Sequence, residues 1–288
     1  ISLPTNLVGF NNGLLAYYPF NGNANDESGN GHHGTVNGAT LIEDRFGQSS
    51  RSYNFNGSNQ NISIATDLPD MTSATVSAWI YFTGAPGDRG MIFNDNTADP
   101  GNDFFLDVNG SSIGINANKS GATLSRSVGN TPAVTGLNLV NRWAHVVWVM
   151  KPASSEVYVD GILMATVNAT GSNVGYHSAT AIGNSPVSAQ NYFPGKLDEI
   201  RIYNRALSTA ELAQLHTLEA PPVITAQPQD KTIGTGANVT LTADANGTGL
   251  SYQWYRNGVA IAGATGATYT ITGAHKDDAT LGSTAAYA

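Results

Sequence analysis

Along most of the chain, β-branched and aromatic residues come in short runs punctuated by Gly, Asn, Asp and Ser: "LLAYYPF", "SYNFNG", "ISIA", "ATVSAWIYF", "FFLDVNG", "AHVVWVM", "EVYVDGILMATV" and "GKLDEIRIYN". Runs of this length and spacing predict strands throughout and an all-β fold. In "SSEVYVDGILMATV", Asp160-Gly161 has the chemistry of a two-residue hairpin turn, whose central positions both take positive φ. Val157 and Val159 then share one face of the hairpin, with Glu156, Tyr158 and Asp160 on the other. One stretch, "LSTAELAQLHTLE", changes period. Ser208 followed by Glu211 forms a capping box, and Leu207, Leu212 and Leu215 recur at helical spacing, predicting a helix from Ser208 to about His216.

Pro221, Pro222 and Pro228 follow in "EAPPVITAQPQ"; proline can neither continue a helix nor sit in a central strand. A domain boundary is therefore expected near Ala220, giving domains 1–219 and 220–288. The second segment, with "VTLTADA", "YQWYRNG" and "TYTIT", resembles a bacterial immunoglobulin-like domain. The resemblance implies a small β-sandwich around Trp254, a hairpin turn at Asn257-Gly258, and Ala243 at the place of a disulfide cysteine. Thr280 and Gly282 stand where that family carries Gly and Tyr, so the domain is expected to be incomplete at its C-terminal end.

Composition narrows the partners. The net charge is -8 and the 13 Lys and Arg residues are scattered, which argues against nucleic acid, whose binding relies on clustered cations. There is no cysteine, which removes disulfides, thiolate metal sites and cysteine nucleophiles. No apolar run is long enough to cross a bilayer, so no membrane insertion is expected. The first residues, "ISLPTNLVGF", lack the pattern of a signal peptide. A surface with only 12 % charged residues and abundant Gly, Asn, Ser and Thr suits an exported protein, secreted or at the cell surface.

The densest polar chemistry lies in "NANDESGNGHHGTVNG", Asn23 to Gly38. It admits three readings: a plain loop, a metal clip or part of a catalytic site. Asp26, Ser28 and Asn30 alternate before Gly31, like the first half of a calcium-binding EF-hand loop, but Asn37 stands where the bidentate Glu belongs and the flanks read as strands. His32 and His33 are adjacent and point oppositely in an extended chain, which disfavours a shared zinc ion.

The order of motifs from Gly13 to about Leu218 resembles the laminin-G-like, concanavalin A-like jelly-roll family, including its pentraxin-like group. It runs from "GLLAYYPFNGNANDESGNGHHGTVNGA" through "SYNFNGSNQNISIA", "ATVSAWIYF", "NRWAHVVWVM", "VYVDG" and "AIGN" to "FPGKLDEIRIYNRALSTAEL". The resemblance implies a sandwich of two antiparallel sheets with first and last strands adjacent. It also implies a structural calcium ion (Ca2+) held by Asp26 and Asp198, with Asn23, Ser28 and Asn30 completing the shell, and the metal clip is preferred to the plain loop.

Relatives of this jelly roll include glycoside hydrolases, which need two carboxyl groups about 5 Å apart in retaining enzymes. The E-x-D-x-x-E strand that carries them is missing. The nearest acids are Asp95, Asp99, Asp103 and Asp107; Asp103 and Asp107 share a strand face by parity, Asp95 and Asp99 read as loop, and all are expected to be solvated. No catalytic residue is assigned. Carbohydrate contacts are expected from loop pairs that combine rings with amides or charges: Asp88-Arg89, Tyr176-His177 and Asn191-Tyr192. Trp79, Trp143 and Trp148 are expected in the core. The resulting expectation is a non-catalytic module of a larger multidomain chain that binds carbohydrate or another extracellular polymer. The alternatives are a polysaccharide-degrading enzyme and a structural or adhesive spacer.

Overall fold

Alternation of apolar and polar side chains gives each strand one face to bury, and two sheets close over that shared apolar surface. The computed structural model describes residues 10–66, 68–85, 88–96, 103–109, 112–117, 137–168, 179–186, 191–219, 223–229, 231–246 and 252–274. The chain divides into two compact units, Ile1–Ala213 and Gln214–Ala288.

Among its described residues the first unit carries fourteen strands. They are β1 (Leu14–Tyr18), β2 (Gly34–Asn37), β3 (Thr40–Ile42), β4 (Ser52–Asn56), β5 (Asn61–Ile64), β6 (Ala74–Phe82) and β7 (Gly90–Asn96). They continue as β8 (Asp103–Val108), β9 (Ile113–Ala117), β10 (Trp143–Lys151), β11 (Ser154–Val159), β12 (Ile162–Asn168), β13 (Ala179–Ile182) and β14 (Pro194–Tyr203). One sheet has the order β12-β11-β10-β6-β14-β4-β3 with β1 also paired to β14; the other runs β2-β5-β13-β7-β8-β9. Between them lies the core. Val76, Ala78, Ile80 and Phe82 of β6 and Val146 and Trp148 of β10 face Ile62, Ile64, Phe104 and Leu106 of the opposite sheet. Phe104 and Trp148 meet across the gap with ring centroids 4.7 Å apart.

First and last strands are neighbours, as the motif order implies: Ala16, Tyr17 and Tyr18 pair with Ile202, Arg201 and Ile200. One edge of β14 is shared. β4 takes Pro194 to Leu197, β1 takes Ile200 to Tyr203, and between them the pairing with β6 shifts register from Asp198 to Arg201. Glu199 sits in that irregularity at φ 50°, the local kink by which a bulge re-aims side chains. The break places two consecutive carboxylates where β4 ends and β1 begins.

The hairpin turn matches its sequence: Asp160 and Gly161 have φ of 50° and 77°, and Val157 and Val159 are in the core. Trp79 and Trp148 are buried, whereas Trp143 is only half-buried, packed edge-on to Tyr81 at 5.8 Å. That corrects the expectation of three core tryptophans. By parity only Trp148 faces the core: Trp143 and Trp79 both lie on the other face of the sheet, paired with Tyr81 and His145, where Trp79 is buried by His145 and Arg45 and Trp143 is the first residue of β10. The helix α1 spans Thr209–Glu219. Ser208 and Glu211 close the capping box, with the Ser208 N–H donating to Glu211 Oε2 (2.7 Å) and the Glu211 N–H to Ser208 Oγ (3.3 Å). Leu207, Leu212 and Leu215 are buried.

The second unit holds β15 (Val223–Ala226), β16 (Val239–Thr242), β17 (Asp244–Asn246), β18 (Tyr255–Arg256), β19 (Val259–Ala260) and β20 (Thr268–Ile271). They pair as β15 with β17, β16 with β20 and β18 with β19. Trp254 is buried with Ala243 and Ala264, stacks on Tyr269 and donates its indole N–H to Gly266 O (2.8 Å). Asn257 and Gly258 form the predicted turn at φ 52° and 79°. Thr280 and Gly282 lie outside the described residues.

Candidate functional site

The six-stranded sheet has one face in the core and one turned away, and the outward face carries the polar chemistry. Register aligns a row across five strands: Thr35 with Ser63, Ser63 with Ala181, Ala181 with Asn94, and Asn94 with Phe105. Thr35 and Asn37 are exposed, Asn61 and Ser63 half-buried. Asn37 Nδ2 donates to Asn61 Oδ1 (2.7 Å) and Ser63 Oγ (3.1 Å), and Asn61 Nδ2 donates to Asn184 Oδ1 (3.0 Å). At the centre Asn94 is buried, and its Oδ1 has no hydrogen-bond partner. A buried acceptor left unpaired is costly, and such a group is met by a water or by a ligand hydroxyl.

Two positions along β8 from Phe105, Asp107 lies on the same outward face and is buried. Its Oδ2 accepts the Nε–H of Arg89. Burial pushes the Asp107 carboxyl above its ordinary pKa, and the Arg89 guanidinium and the Gly114 N–H pull it only part of the way back. The Arg89 side chain is 47 % exposed, with its guanidinium carbon 5.3 Å from the centroid of the Phe105 ring. A buried carboxylate, a half-exposed ring and a half-exposed guanidinium are thus stacked at one end of the amide row.

The loop Asn23–Gly31 is organised around Asp26. Oδ1 accepts the N–H of Tyr17 (2.9 Å) and of Ser28 (2.8 Å); Oδ2 accepts Ser28 Oγ (2.9 Å) and the N–H of His32 (3.0 Å). Burial alone would raise the pKa of this carboxyl, but these donors outweigh it and hold it below the ordinary value. The five residues expected to hold calcium are each engaged within the protein. Asn23 Oδ1 accepts the N–H of Asn25, Asn30 Nδ2 donates to the carbonyls of Leu14 and Leu15, and the single Ser28 hydroxyl hydrogen is shared between Leu15 O and Asp26 Oδ2. Asp198 is ion-paired with buried Arg45 through Oδ2 and accepts the Glu199 N–H at Oδ1. Among the described residues no three of His, Asp or Glu gather as a metal-holding group. Calcium needs six to eight available oxygens. Both Asp26 oxygens already accept two hydrogens each, and Asp198 faces a guanidinium; as arranged, this donor set does not fit the ion.

The loop nevertheless reaches the last strand, through Tyr17. Its N–H binds Asp26, it pairs in register with Arg201, and its hydroxyl donates to Glu199 Oε2 (2.7 Å). His32 and His33 turn to different partners: His32 Nδ1 contacts Thr66 Oγ1 (2.6 Å), and His33 Nδ1 accepts the Asp26 N–H (3.1 Å).

Of the expected ligand residues, Tyr176 and His177 lie outside the described residues. Asp88 turns back into its own turn, accepting the Ala85 N–H (2.8 Å). The carbonyl of Asn191 accepts the Met91 N–H (2.8 Å), so the segment with half-buried Asn191 and Tyr192 runs beside the start of β7, close in sequence to Arg89. Asp95 and Asp107 correct the expectation of solvated acids. Asp95 is in β7, fully buried on the core side, and its Oδ1 accepts the hydroxyl of Thr180 (2.8 Å). Asp107 was visible by parity but not its partner, which the pairing of β7 with β8 supplies. Asn94 and Phe105 were missed; each reads in sequence as one more residue of an alternating strand.

A laminin-G-type family model, described as the concanavalin A-like lectin/glucanases superfamily, matches residues 56–213, more than half of the chain. The chain belongs to this superfamily. No curated protein matches it. Among solved structures, this superfamily member resembles domain 4 of a GH43 extracellular arabinanase from Geobacillus stearothermophilus in complex with arabinotriose. The TM-score is 0.53 at 20 % identity, over 70 % of this chain and 98 % of that one. It also resembles the binding domain of Paraclostridial Mosquitocidal Protein 1 (TM-score 0.56, 17 % identity, 71 % of this chain and 52 % of that one). A third is the botulinum neurotoxin serotype D ligand-binding domain in complex with N-acetylneuraminic acid (TM-score 0.55, 15 % identity, 72 % and 51 %). The chain spans about half the length of the two toxin domains. At such identities the likeness establishes the fold.

Proposed function

We propose that the first unit is a non-catalytic carbohydrate-binding module that receives its ligand on the outward face of the six-stranded sheet. The observation that carries this reading is the row of amide and hydroxyl side chains ending at Phe105 and Arg89. Thr35, Asn37, Asn61 and Ser63 offer paired donors and acceptors of the kind that match vicinal hydroxyls, and the half-exposed ring offers an apolar platform. The buried acceptor of Asn94 lies between them. Two of the structural neighbours are complexes with sugars, arabinotriose and N-acetylneuraminic acid, which supports the same class of ligand here. Catalysis by a carboxyl pair finds no support on this face, because Asp107 is matched by Arg89 rather than by a second acid.

The wider setting belongs to the same proposal. The module is extracellular, secreted or at the cell surface, within a longer multidomain protein, and the second unit is an immunoglobulin-like sandwich that spaces it from its neighbours. Affinity electrophoresis of the 288-residue protein through gels containing neutral and acidic polysaccharides tests the reading, with reducing-end release assayed in parallel. Retardation by at least one polysaccharide without release of reducing ends is expected. Release of reducing ends would make the protein an enzyme; free migration through every gel would leave only the spacer.

A further inference from the structure

We infer that this carbohydrate-binding face is selective for acidic glycans, and that Arg89 is the residue that recognises their carboxylate. The inference rests on the reading of the face as a carbohydrate site and deepens it. Arg89 is held from behind. Its Nε–H is taken by Asp107, whose side chain is 5 % exposed, while the arginine side chain is 47 % exposed. Anchoring through Nε leaves the Nη1 and Nη2 edge, and no hydrogen bond or ion pair other than that with Asp107 involves the guanidinium among the described residues. That edge is the planar pair of donors that matches a carboxylate in bidentate fashion.

Three further features make this a built site rather than a surface arginine. The Phe105 ring lies 5.3 Å from the guanidinium carbon and restricts its swing. Gly114 is required beneath it: a Cβ there would stand 2.0 Å from Asp107 Oδ1, so the glycine makes room for the anchoring carboxylate. Asn94, opposite Phe105 in register, carries a buried acceptor without a hydrogen-bond partner beside them. Asp88, the neighbouring acid, accepts the Ala85 N–H instead of competing for Arg89.

Long-range attraction contributes nothing here. The chain carries a net charge of -8, and Arg89 is already neutralised by Asp107, so recognition of an anion depends on the geometry of the Nη edge. A lysine at this position keeps the charge but offers a point donor on a flexible stem. This separates a specific carboxylate contact from nonspecific ion exchange.

The experiment compares polygalacturonate, its fully methyl-esterified form and neutral arabinan as ligands for the 288-residue protein, with Arg89→Lys and Arg89→Ala variants. Melting temperatures are recorded for each variant, since Arg89→Ala leaves Asp107 buried without its partner. Wild type is expected to bind polygalacturonate about tenfold or more tightly than the ester, as a bidentate charge-assisted contact implies. Arg89→Lys, folded as judged by its melting curve, is expected to lose that preference, its affinity for polygalacturonate falling to about its own affinity for the ester. Equal binding of acid and ester, or an acid preference undiminished in Arg89→Lys, would overturn the inference and leave the carbohydrate reading standing. Absence of binding to all three polymers and to the gels above would overturn both.

Discussion

Gly114 and Asp107 face each other across β8 and β9 so closely that a Cβ on the glycine would stand 2.0 Å from the carboxylate oxygen. Any side chain there must displace Asp107, and with it the anchor of Arg89. Gly114→Ala is expected to destabilise the protein by about 1–3 kcal/mol through overpacking. In a domain of this size that lowers Tm by roughly 2–4 °C per kcal/mol. The same variant is expected to weaken polysaccharide binding more than the fall in Tm explains, which affinity electrophoresis well below Tm would show.

Asp26 gathers four donors, and the loop from Asn23 to Gly31 closes on that carboxylate. Asp26→Ala leaves these donors unpaired, at about 1–3 kcal/mol for each that stays buried and less for those that reach water. Tyr17→Phe removes only the hydroxyl bond to Glu199 and is expected to cost about 1 kcal/mol. Because the protein's own donors occupy the carboxylate, melting curves with calcium and with chelator are expected to coincide. A calcium-dependent rise in Tm that disappears in Asp26→Ala would instead show that the loop rearranges to take the ion.

Two of the buried carboxyls, Asp26 and Asp107, titrate with opposite sign. Asp26 is depressed by its donors, so its stabilisation is present above the unfolded value of 3.8 and is lost as pH falls through the lower folded value. Asp107 is raised, chiefly by burial; its contribution favours the fold below the unfolded value and is lost as pH rises through the higher folded one. Thermal unfolding from about pH 3 to 6 is expected to show a shallower loss of stability on the acid side in Asp26→Asn than in wild type. In Asp107→Asn the loss on acidification is expected to be steeper than in wild type.

The capping box of α1 offers an independent check outside the six-stranded sheet. The Glu211 carboxyl is held down to about 2, first by its hydrogen bond to Arg205 and then by those from Ser208. Ser208→Ala is expected to cost about 0.5–2 kcal/mol, the usual value for an N-cap, without changing polysaccharide binding. An unchanged unfolding midpoint would show that the helix start does not depend on this box.

Much of the sandwich was legible because its rules are local. Alternation placed Val157 and Val159 on one face, which the structure turns to the core; local chemistry placed Asp160-Gly161 in the turn and Ser208 and Glu211 at a helix start, each from residues a few positions apart. The adjacency of β1 and β14 came from motif order, and the structure has it. What the sequence could not supply was register. The Asn23–Gly31 loop does meet the last strand, but at Glu199 and Arg201 through Tyr17, because a bulge at Asp198–Glu199 re-aims both carboxylates and Arg45 occupies the first of them. Asp107 and Arg89 are 18 residues apart and become partners only once β7 pairs with β8. Asp95 reads as loop from its Gly and Pro neighbours, yet pairing with Thr180 extends the strand through it.

The most direct test of the sheet face as the binding site is an amide chemical-shift titration of the 288-residue protein with a uronic-acid oligosaccharide. Perturbations should cluster at Thr35, Ser63, Asn94, Phe105 and Arg89 and vanish in Arg89→Ala at the same ligand concentration. Perturbations confined to the Asn23–Gly31 loop or to the second unit, with the outward face of the six-stranded sheet silent, would contradict the account.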